Sequence, residues 1–155
     1  MVLGQIFPKE TVVVNLQSTE KDELFEELVE AIHSYVPGLD RNEALENLRE
    51  REAKMSTGIM HSIAVPHALI SSVKETVGAI GISRDGIDYD ALDKAPVHVV
   101  FMIIGASGET EHHIQVLKQI ATVLQIPGFV DRIRKCESAG AVHELICKSE
   151  ESVSE

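Results

Sequence analysis

Apolar residues recur at helical spacing in some stretches of this chain and form short continuous runs in others. After Thr19, an apolar stripe through Leu24, Leu28, Ile32 and Val36 predicts an amphipathic helix. Capping and breaker residues predict further helices over four segments, residues 40–51, 111–125, 129–136 and 138–148.

Short apolar runs predict the strands, which cover residues 12–16, 62–65, 76–83 and 96–104. The last run, PVHVVFMII, is almost continuously apolar, which is typical of a central strand covered on both faces. Helices and strands alternate irregularly. We therefore predict an α/β (α+β) fold with a mixed parallel/antiparallel β-sheet of about five strands, flanked by helices on both faces.

The length of 155 residues suits one well-buried core, and no linker or internal repeat divides the sequence. We therefore expect a single domain over residues 1–148. Residues 149–155 are acidic and rich in serine, so we expect them to form a disordered tail.

The charge of the chain argues against one class of partner. The sequence has 14 Lys and Arg against 25 Asp and Glu, a formal net charge of -11, and no basic stripe. We therefore expect no nucleic acid partner, because phosphates require a basic face. The N-terminus does not read as a signal peptide, and the longest apolar run, 99–104, is too short to cross a bilayer. These features predict a cytoplasmic protein without direct membrane insertion.

The segment SIAVPHAL, residues 62–69, places an ionisable ring directly after a proline. Pro66 has no N–H and a fixed φ, so we expect the chain to leave the strand there and to present His67 at its end. An imidazole with an ordinary pKa near ~6.5 is largely neutral at pH 7 and can act as a nucleophile. A turn that merely contains a histidine is the alternative interpretation of the same segment.

His113 lies in the first turn of the helix predicted over 111–125. It shares a face with Val116 and Ile120, so its ring is expected to point inward. There it would lie beside free N–H groups and the positive end of the helix dipole, which suits a phosphate. A structural histidine bonded to a nearby carbonyl is the alternative. His112 points about 100° away and is expected to be solvated.

Arg51 and Glu52 end the second predicted helix, ahead of the short loop MSTG. In one interpretation they form a surface ion pair worth under about 1 kcal/mol. In the other, the guanidinium of Arg51 makes a bidentate contact with a phosphoryl group. In the second interpretation Thr57 and Gly58 hold the loop, through a hydroxyl bond and a permissive backbone.

A zinc site is an alternative use of the histidines, because four of the seven fall into two pairs, His61 with His67 and His112 with His113. Their spacing matches no familiar set of zinc ligands, and the two neighbouring helical side chains diverge. We therefore expect neither a metal site nor a cofactor.

Read together, these blocks resemble the type-2 enzyme IIA family of the bacterial phosphotransferase system, the fructose/mannitol type, which includes a nitrogen-related regulatory branch. The resemblance runs from Ile6 to about Ile146. It rests on Arg51-Glu52 and on three blocks, STG at 56–58, IAVPHA at 63–68 and EHHIQVL at 111–117. Several ordered blocks are more specific than any one motif.

The resemblance implies that His67 accepts a phosphoryl group through Nε2, that His113 stabilises the phosphorylated state and that Arg51 contacts the phosphate. Thr57 and Gly58 are further candidates for phosphate binding. The implied partners are a histidine-containing phosphocarrier protein and either a sugar-specific enzyme IIB or regulatory target proteins.

Two functions are consistent with this pattern. The first is a phosphoryl carrier, a phosphotransferase that passes the group on or uses it as a regulatory signal. The second is a non-transferring regulatory binding module of the same fold, acting through protein–protein contacts. A chain without fused carrier or membrane modules modestly favours a regulator.

Overall fold

The computed structural model describes residues 2–59 and 62–153. The helices are α1 Leu3–Ile6, α2 Lys21–Tyr35, α3 Arg41–Lys54, α4 Thr110–Leu124, α5 Phe129–Arg134 and α6 Ala139–Val153. The strands are β1 Val12–Val13, β2 Ile63–Ala64, β3 His67–Ile70, β4 Val77–Ile87 and β5 Val97–Ala106. A short 3-10 helix, Lys9–Thr11, precedes β1.

Within these residues the strands form one mixed sheet of five strands. The antiparallel pair of β4 and β5 occupies its middle, with Ile80 opposite Phe101. β1 runs parallel to β4 on one side, and both β2 and β3 run parallel to β5 on the other. The predicted mixed sheet is confirmed, and β5 is the central strand that the continuous apolar run indicated.

The sheet separates two apolar clusters. On one face α2 and α3 pack through buried residues such as Leu28 and Leu48 against sheet residues that include Met102. On the other face α1, α4, α5 and α6 contribute residues such as Ile120, and Phe101 comes from the sheet. Burial on both faces explains why β5 is apolar at almost every position rather than at alternate ones.

The strand ends before Pro66, as the sequence predicts, but the chain stays at the edge of the sheet and resumes pairing at His67. β2 ends at Ala64, and β3 begins at His67, opposite Ile103 of the same neighbouring strand. The Pro66 carbonyl still accepts a hydrogen bond from the Ile103 N–H at 3.0 Å. A proline is tolerated here because β2 and β3 form an edge, where its missing N–H interrupts no inner ladder. The break instead divides one edge into two short segments.

Two of the helices, α3 and α6, begin at capping residues that the sequence indicates. The Asp40 carboxylate accepts a hydrogen bond from the Glu43 N–H at 3.1 Å, which confirms the predicted start of α3. The Ser138 hydroxyl oxygen likewise accepts from the Ala141 N–H at 3.1 Å, at the predicted start of α6. The α4 helix begins at Thr110, one position before its predicted start.

The predicted tail is corrected at its beginning, because α6 continues to Val153. Ser149 and Glu150 are buried, and the Glu150 carboxylate accepts hydrogen bonds at 3.0 Å from the N–H groups of Val2 and Leu3. An acidic residue at the end of the sequence is thus tied to the first helix. The single domain over residues 1–148 stays a prediction. Across residues 2–59 and 62–153, no helix is long and apolar enough to cross a membrane.

Candidate functional site

His67 begins the edge strand β3, and its ring is half-buried. Its Nδ1 lies 2.8 Å from the carbonyl oxygen of Val65, two residues earlier. A carbonyl can only accept, so Nδ1 carries the proton and donates it. The neutral ring then has its lone pair on Nε2, which is the arrangement a nucleophilic imidazole requires.

The surroundings of His67 keep the ring uncharged. Burial lowers its pKa below the ordinary value near 6.5, and the positive charge of Arg51 lowers it further. The hydrogen bond to Val65 and the negative charge of Glu52 act in the opposite direction without reversing the shift. His67 is therefore neutral at pH 7, and its Nε2 lone pair is available.

His113 comes from the first turn of α4 and faces His67, with 5.5 Å between the ring centroids and 53° between the ring planes. Only 6% of its surface is exposed, so the predicted inward orientation is confirmed. Burial, helped by His67 and His112, lowers the pKa of His113 to about 4. The ring is therefore neutral at pH 7.

The proton of His113 is placed by its environment. Among the described residues, its buried Nδ1 has no hydrogen-bond partner. Gly105 approaches this atom so closely that a Cβ there would lie 2.7 Å from it. An unpaired N–H is costly to bury, and a neutral imidazole can place its proton on the other nitrogen. We assign that proton to Nε2, which makes His113 a donor.

Arg51 lies in the last turn of α3. Its Nη1 donates to the Met55 carbonyl at 2.9 Å, so one arm of the guanidinium also holds the end of the helix. Arg51, His67 and His113 line one cleft of about 310 Å³. The structure thus brings together three residues that the sequence separates by up to 62 positions, from Arg51 to His113. A contact of Arg51 with phosphate stays a prediction.

Thr57 is buried in the loop after α3. Its hydroxyl donates to Glu52 Oε1 at 2.6 Å and lies 2.8 Å from the hydroxyl of Tyr89. This is the predicted hydroxyl bond that holds the loop, although its acceptor was not identified from the sequence. Direct phosphate binding by Thr57 stays a prediction.

Gly58 serves the loop for a different reason than expected. Its backbone lies outside the left-handed region, so permissive φ is not what it provides. A Cβ there would lie 2.7 Å from the Tyr89 ring and 2.8 Å from the Ala91 Cβ. Gly58 is required for close packing, and its role in phosphate binding stays a prediction.

Glu52 is the residue of this region that the sequence interpretation missed. It is 8% exposed and forms no surface pair with Arg51. Its carboxylate instead contacts Lys21 Nζ at 3.2 Å, together with Thr57 and Tyr89. The helical spacing contained a usable signal, because Ala44, Leu48 and Glu52 repeat every four residues on the buried face of α3.

A larger groove of about 1090 Å³ adjoins the cleft, and both Arg51 and His67 also line it. Its walls are mostly apolar and come from the loop after α3, from α4, from the α4–α5 connection and from α5. They include Ile59, Leu117, Leu124, Ile126, Pro127 and Val130. Met55 and Ile59 are 60% and 45% exposed. The half-buried His67 therefore sits beside an open apolar surface of a kind that suits a protein partner.

The remaining histidines do not extend this site. His33, His98 and His143 each place Nδ1 about 3 Å from a backbone carbonyl, which gives these rings a structural hydrogen bond. His61 lies outside the described residues, and His112 is half-exposed. In the part of the chain that the structure describes, no three His, Cys, Asp or Glu side chains gather as metal ligands.

Comparison with known proteins gives the site a family context. The family model described as "Phosphoenolpyruvate-dependent sugar phosphotransferase system, EIIA 2" matches residues 5–149. The chain is 34% identical over 146 residues to the PTS system fructose-specific EIIABC component of Bacillus subtilis, covering 94% of this chain and 23% of that protein. It is 31% identical over 144 residues to the nitrogen regulatory protein of Pseudomonas aeruginosa, covering 93% of this chain and 94% of that one.

Solved structures agree with this placement. The nitrogen regulatory protein IIA-Ntr of Neisseria meningitidis has a TM-score of 0.86 at 26% identity, covering 94% of this chain and 99% of that chain. The complex of enzyme IIAMTL and phosphorylated enzyme IIBMTL of Escherichia coli has a TM-score of 0.75 at 20% identity, covering 90% and 95%. The second likeness shows a shared fold alone. The first, with the family match over residues 5–149 and two relatives above 30% identity, establishes that this chain belongs to the EIIA 2 family of the phosphoenolpyruvate-dependent sugar phosphotransferase system.

Proposed function

We propose that this chain carries a phosphoryl group on Nε2 of His67. The observation that carries the proposal is the hydrogen bond from Nδ1–H to the Val65 carbonyl, 2.8 Å long, which leaves Nε2 as the nucleophile. Burial and the Arg51 charge hold the pKa of His67 below its ordinary value, so this lone pair is free at neutral pH. The family supports the same role, since it is named for a sugar phosphotransferase system.

The reaction is an in-line transfer between two imidazoles. The Nε2 lone pair of His67 forms a bond to phosphorus, and the P–N bond of a donor phosphohistidine breaks. The bonding pair returns to the donor imidazole. No proton has to leave His67. Nδ1 keeps its proton and its hydrogen bond to the Val65 carbonyl while the ring gains positive character. The protein contributes position and charge rather than a covalent step of its own.

Three groups would stabilise the transferred phosphoryl. Arg51 supplies a full positive charge in the same cleft, and His113 supplies the Nε2–H of a neutral ring. The first turn of α4 adds the positive end of a helix dipole. Preorganised donors of this kind act mainly on the charge that develops during transfer.

The apolar groove beside His67 would receive the partner proteins. A histidine-containing phosphocarrier protein is the proposed donor, meeting this chain in the cytoplasm. A sugar-specific enzyme IIB is the proposed acceptor, since the Escherichia coli neighbour of the same fold is a complex of enzyme IIAMTL and phosphorylated enzyme IIBMTL. The formal charge of -11 favours partners that present a basic rim.

A second function uses the same site with a different output. In it the protein binds regulatory targets, and phosphorylation of His67 changes that binding. The similarity to nitrogen regulatory proteins of Pseudomonas aeruginosa and Neisseria meningitidis supports this output. The fructose-specific relative of Bacillus subtilis supports transport instead. A module that has lost transfer altogether is disfavoured by the joint presence of Arg51, His67 and His113 in one cleft.

The test is to incubate the protein with labelled phosphoenolpyruvate and the general phosphotransferase proteins, using the sugar-type and the nitrogen-type carrier in separate reactions. We expect acid-labile label from one carrier much faster than from the other, and the faster carrier identifies the output. Absence of label with both carriers would contradict transfer and favour a binding module.

A further inference from the structure

Glu52 is a buried carboxylate that contacts Thr57 of the loop after α3 and two side chains beside that loop, Lys21 and Tyr89. Oε2 accepts from the Thr57 N–H at 2.8 Å and faces Lys21 Nζ at 3.2 Å. Oε1 accepts from the Thr57 hydroxyl at 2.6 Å and from the Tyr89 hydroxyl at 3.2 Å. Lys21 also lies over the Tyr89 ring, 4.7 Å from its centroid. The carboxylate is thus paired and satisfied, which is what allows it to be buried.

Hydrogen bonds connect this anchored loop to the ring of His67. The Thr57 carbonyl accepts from the Val65 N–H at 3.0 Å. The Val65 carbonyl in turn accepts from Nδ1–H of His67 at 2.8 Å. Two further contacts hold the same turn, an antiparallel bridge between Gly58 and Ala64 and the bond from the Ile59 N–H to the Ile63 carbonyl at 3.1 Å. Glu52 therefore reaches His67 through Thr57 and Val65.

We propose that Glu52, ion-paired with Lys21, is a positioning residue that sets the orientation and the Nδ1–H tautomer of His67 through the relay Thr57–Val65. Glu52 does not touch the reacting atoms. It fixes the position of the Val65 carbonyl, which accepts the hydrogen bond from Nδ1–H of His67. The Nε2 lone pair therefore stays directed into the cleft. The inference rests on the proposed function of His67. The effect of Glu52 on the tautomer of His67 can be measured without any transfer reaction.

The relay needs an acceptor that holds two donors of Thr57 at once. An ionised carboxylate does this, because both of its oxygens accept. A glutamine offers one oxygen, which can keep the Thr57 N–H, so Glu52→Gln should weaken the relay only in part. A methionine has similar bulk and no strong acceptor, and Glu52→Met leaves the buried Thr57 N–H without its acceptor. The order glutamate, glutamine, methionine is therefore a graded series for the relay.

The measurement is the tautomer of His67 by long-range ¹H–¹⁵N NMR of the unphosphorylated full chain, together with the initial rate of phosphorylation. We expect Nδ1–H to dominate in the wild type. In Glu52→Met the ratio of the Nδ1–H to the Nε2–H tautomer of His67 should fall by about tenfold, the factor expected for one net hydrogen bond. The phosphorylation rate should fall by about the same factor. Glu52→Gln should lie between the two. Glu46→Met is the matched control, because Glu46 is exposed on the same helix.

A purely structural role would lower stability and leave the tautomer of the folded protein unchanged. A folded Glu52→Met with the wild-type tautomer and rate overturns the proposal. If that variant does not fold, Glu52→Gln and Tyr89→Phe decide, and wild-type behaviour in both overturns it. Label from the carrier with no effect of Glu52 defeats the relay and leaves the proposed function standing. If Glu52→Met shifts the tautomer but no carrier phosphorylates the wild type, the relay is supported and the proposed function is contradicted.

Discussion

The imidazole rings of His67 and His113 face each other with 5.5 Å between their centroids, and their protons are placed in complementary ways. The Nδ1–H of His67 donates a hydrogen bond to the Val65 carbonyl, whereas the Nδ1 of His113 has no partner among the described residues. One ring therefore presents a lone pair at Nε2 and the other presents an N–H. A phosphoryl group on the first ring would meet a donor from the second, as the proposed phosphoryl carrier requires.

Gly105 is predicted to be essential for this arrangement. In Gly105→Ala the added Cβ would lie 2.7 Å from His113 Nδ1 and 3.0 Å from a methyl carbon of Leu69. Both side chains would have to shift, so we expect a loss of about 1–3 kcal/mol in the free energy of unfolding. The phosphorylation rate should fall as His113 moves. Denaturant unfolding and carrier-dependent labelling measure the two effects.

Gly140→Ala is the matched control for that variant. A Cβ at Gly140 meets nothing within 4 Å, and the residue lies inside α6. Gly140 is exposed in the first turn of this helix, so alanine there should change the free energy of unfolding by less than about 0.5 kcal/mol. Equal effects of the two substitutions would contradict the close approach of Gly105 to His113.

Arg51 is predicted to act on phosphorylation more than on folding. Arg51→Ala should lower the initial phosphorylation rate by roughly 100- to 1000-fold, as for the loss of one preorganised donor. Arg51→Lys keeps the charge but loses the forked geometry, so its rate should be intermediate. Arg49→Ala is the control, because Arg49 pairs at the surface with Asp22 at 3.3 Å. A rate for Arg51→Ala that equals the control rate would remove Arg51 from the phosphate site.

The stability of the protein should fall as the pH drops from about 6.5 to about 4. The folded state holds the pKa of His113 at about 4, below the ordinary value near 6.5 of an unfolded chain. The unfolded state therefore binds the proton first, and stability present above pH 6.5 is lost on acidification. The buried ring should contribute at most about 3 kcal/mol of this loss, because one pKa unit corresponds to about 1.4 kcal/mol.

This pH dependence is measured by urea unfolding at a series of pH values. His113→Gln cannot take up the proton, so its free energy of unfolding should decline less steeply over the same range. His112→Gln removes the neighbouring half-exposed ring and should keep the wild-type slope. Parallel curves for the wild type and His113→Gln would show that His113 is not held neutral by the fold.

The end of the chain is predicted to stabilise its beginning. Glu150 is 1% exposed and accepts from the Leu3 N–H at 3.0 Å, whereas Glu151 is exposed. Glu150→Gln should lower the free energy of unfolding by about 1–2 kcal/mol, because hydrogen bonds to a charged acceptor are stronger than those to an amide. Glu151→Gln should change it by less than about 0.5 kcal/mol. Thermal unfolding of both variants compares them, and matching midpoints would argue against an anchoring role for Glu150.

The sheet and the inward face of α4 were predictable because they depend on local patterns. The continuous apolar run before Ala106 is rich in β-branched residues and favours a strand buried on both faces, and that strand is the centre of the sheet. The stripe that includes Val116 and Ile120 fixed the direction of His113. The cap at Asp40 was readable for the same reason, since it involves residues close together in the chain.

The rest depends on contacts between distant segments. The sequence around Pro66 reads as a strand end, and only the pairing of His67 with Ile103 shows that the edge resumes. Glu52 next to Arg51 reads as a surface pair until Lys21 and Tyr89 are brought beside it. Local rules carry no information on such partners, so a buried charge that finds its partners elsewhere in the chain is the feature most easily missed.

The proposed role of His67 is decided by the position of the phosphoryl group after labelling from phosphoenolpyruvate through the carrier. NMR of the labelled protein identifies the phosphorylated nitrogen, and His67→Gln is labelled in parallel, with the structural histidine variant His33→Gln as its control. We predict one acid-labile phosphoryl group on Nε2 of His67, normal labelling of His33→Gln and no labelling of His67→Gln. Label on Nδ1 of His67, or undiminished labelling of His67→Gln, would contradict the proposed function.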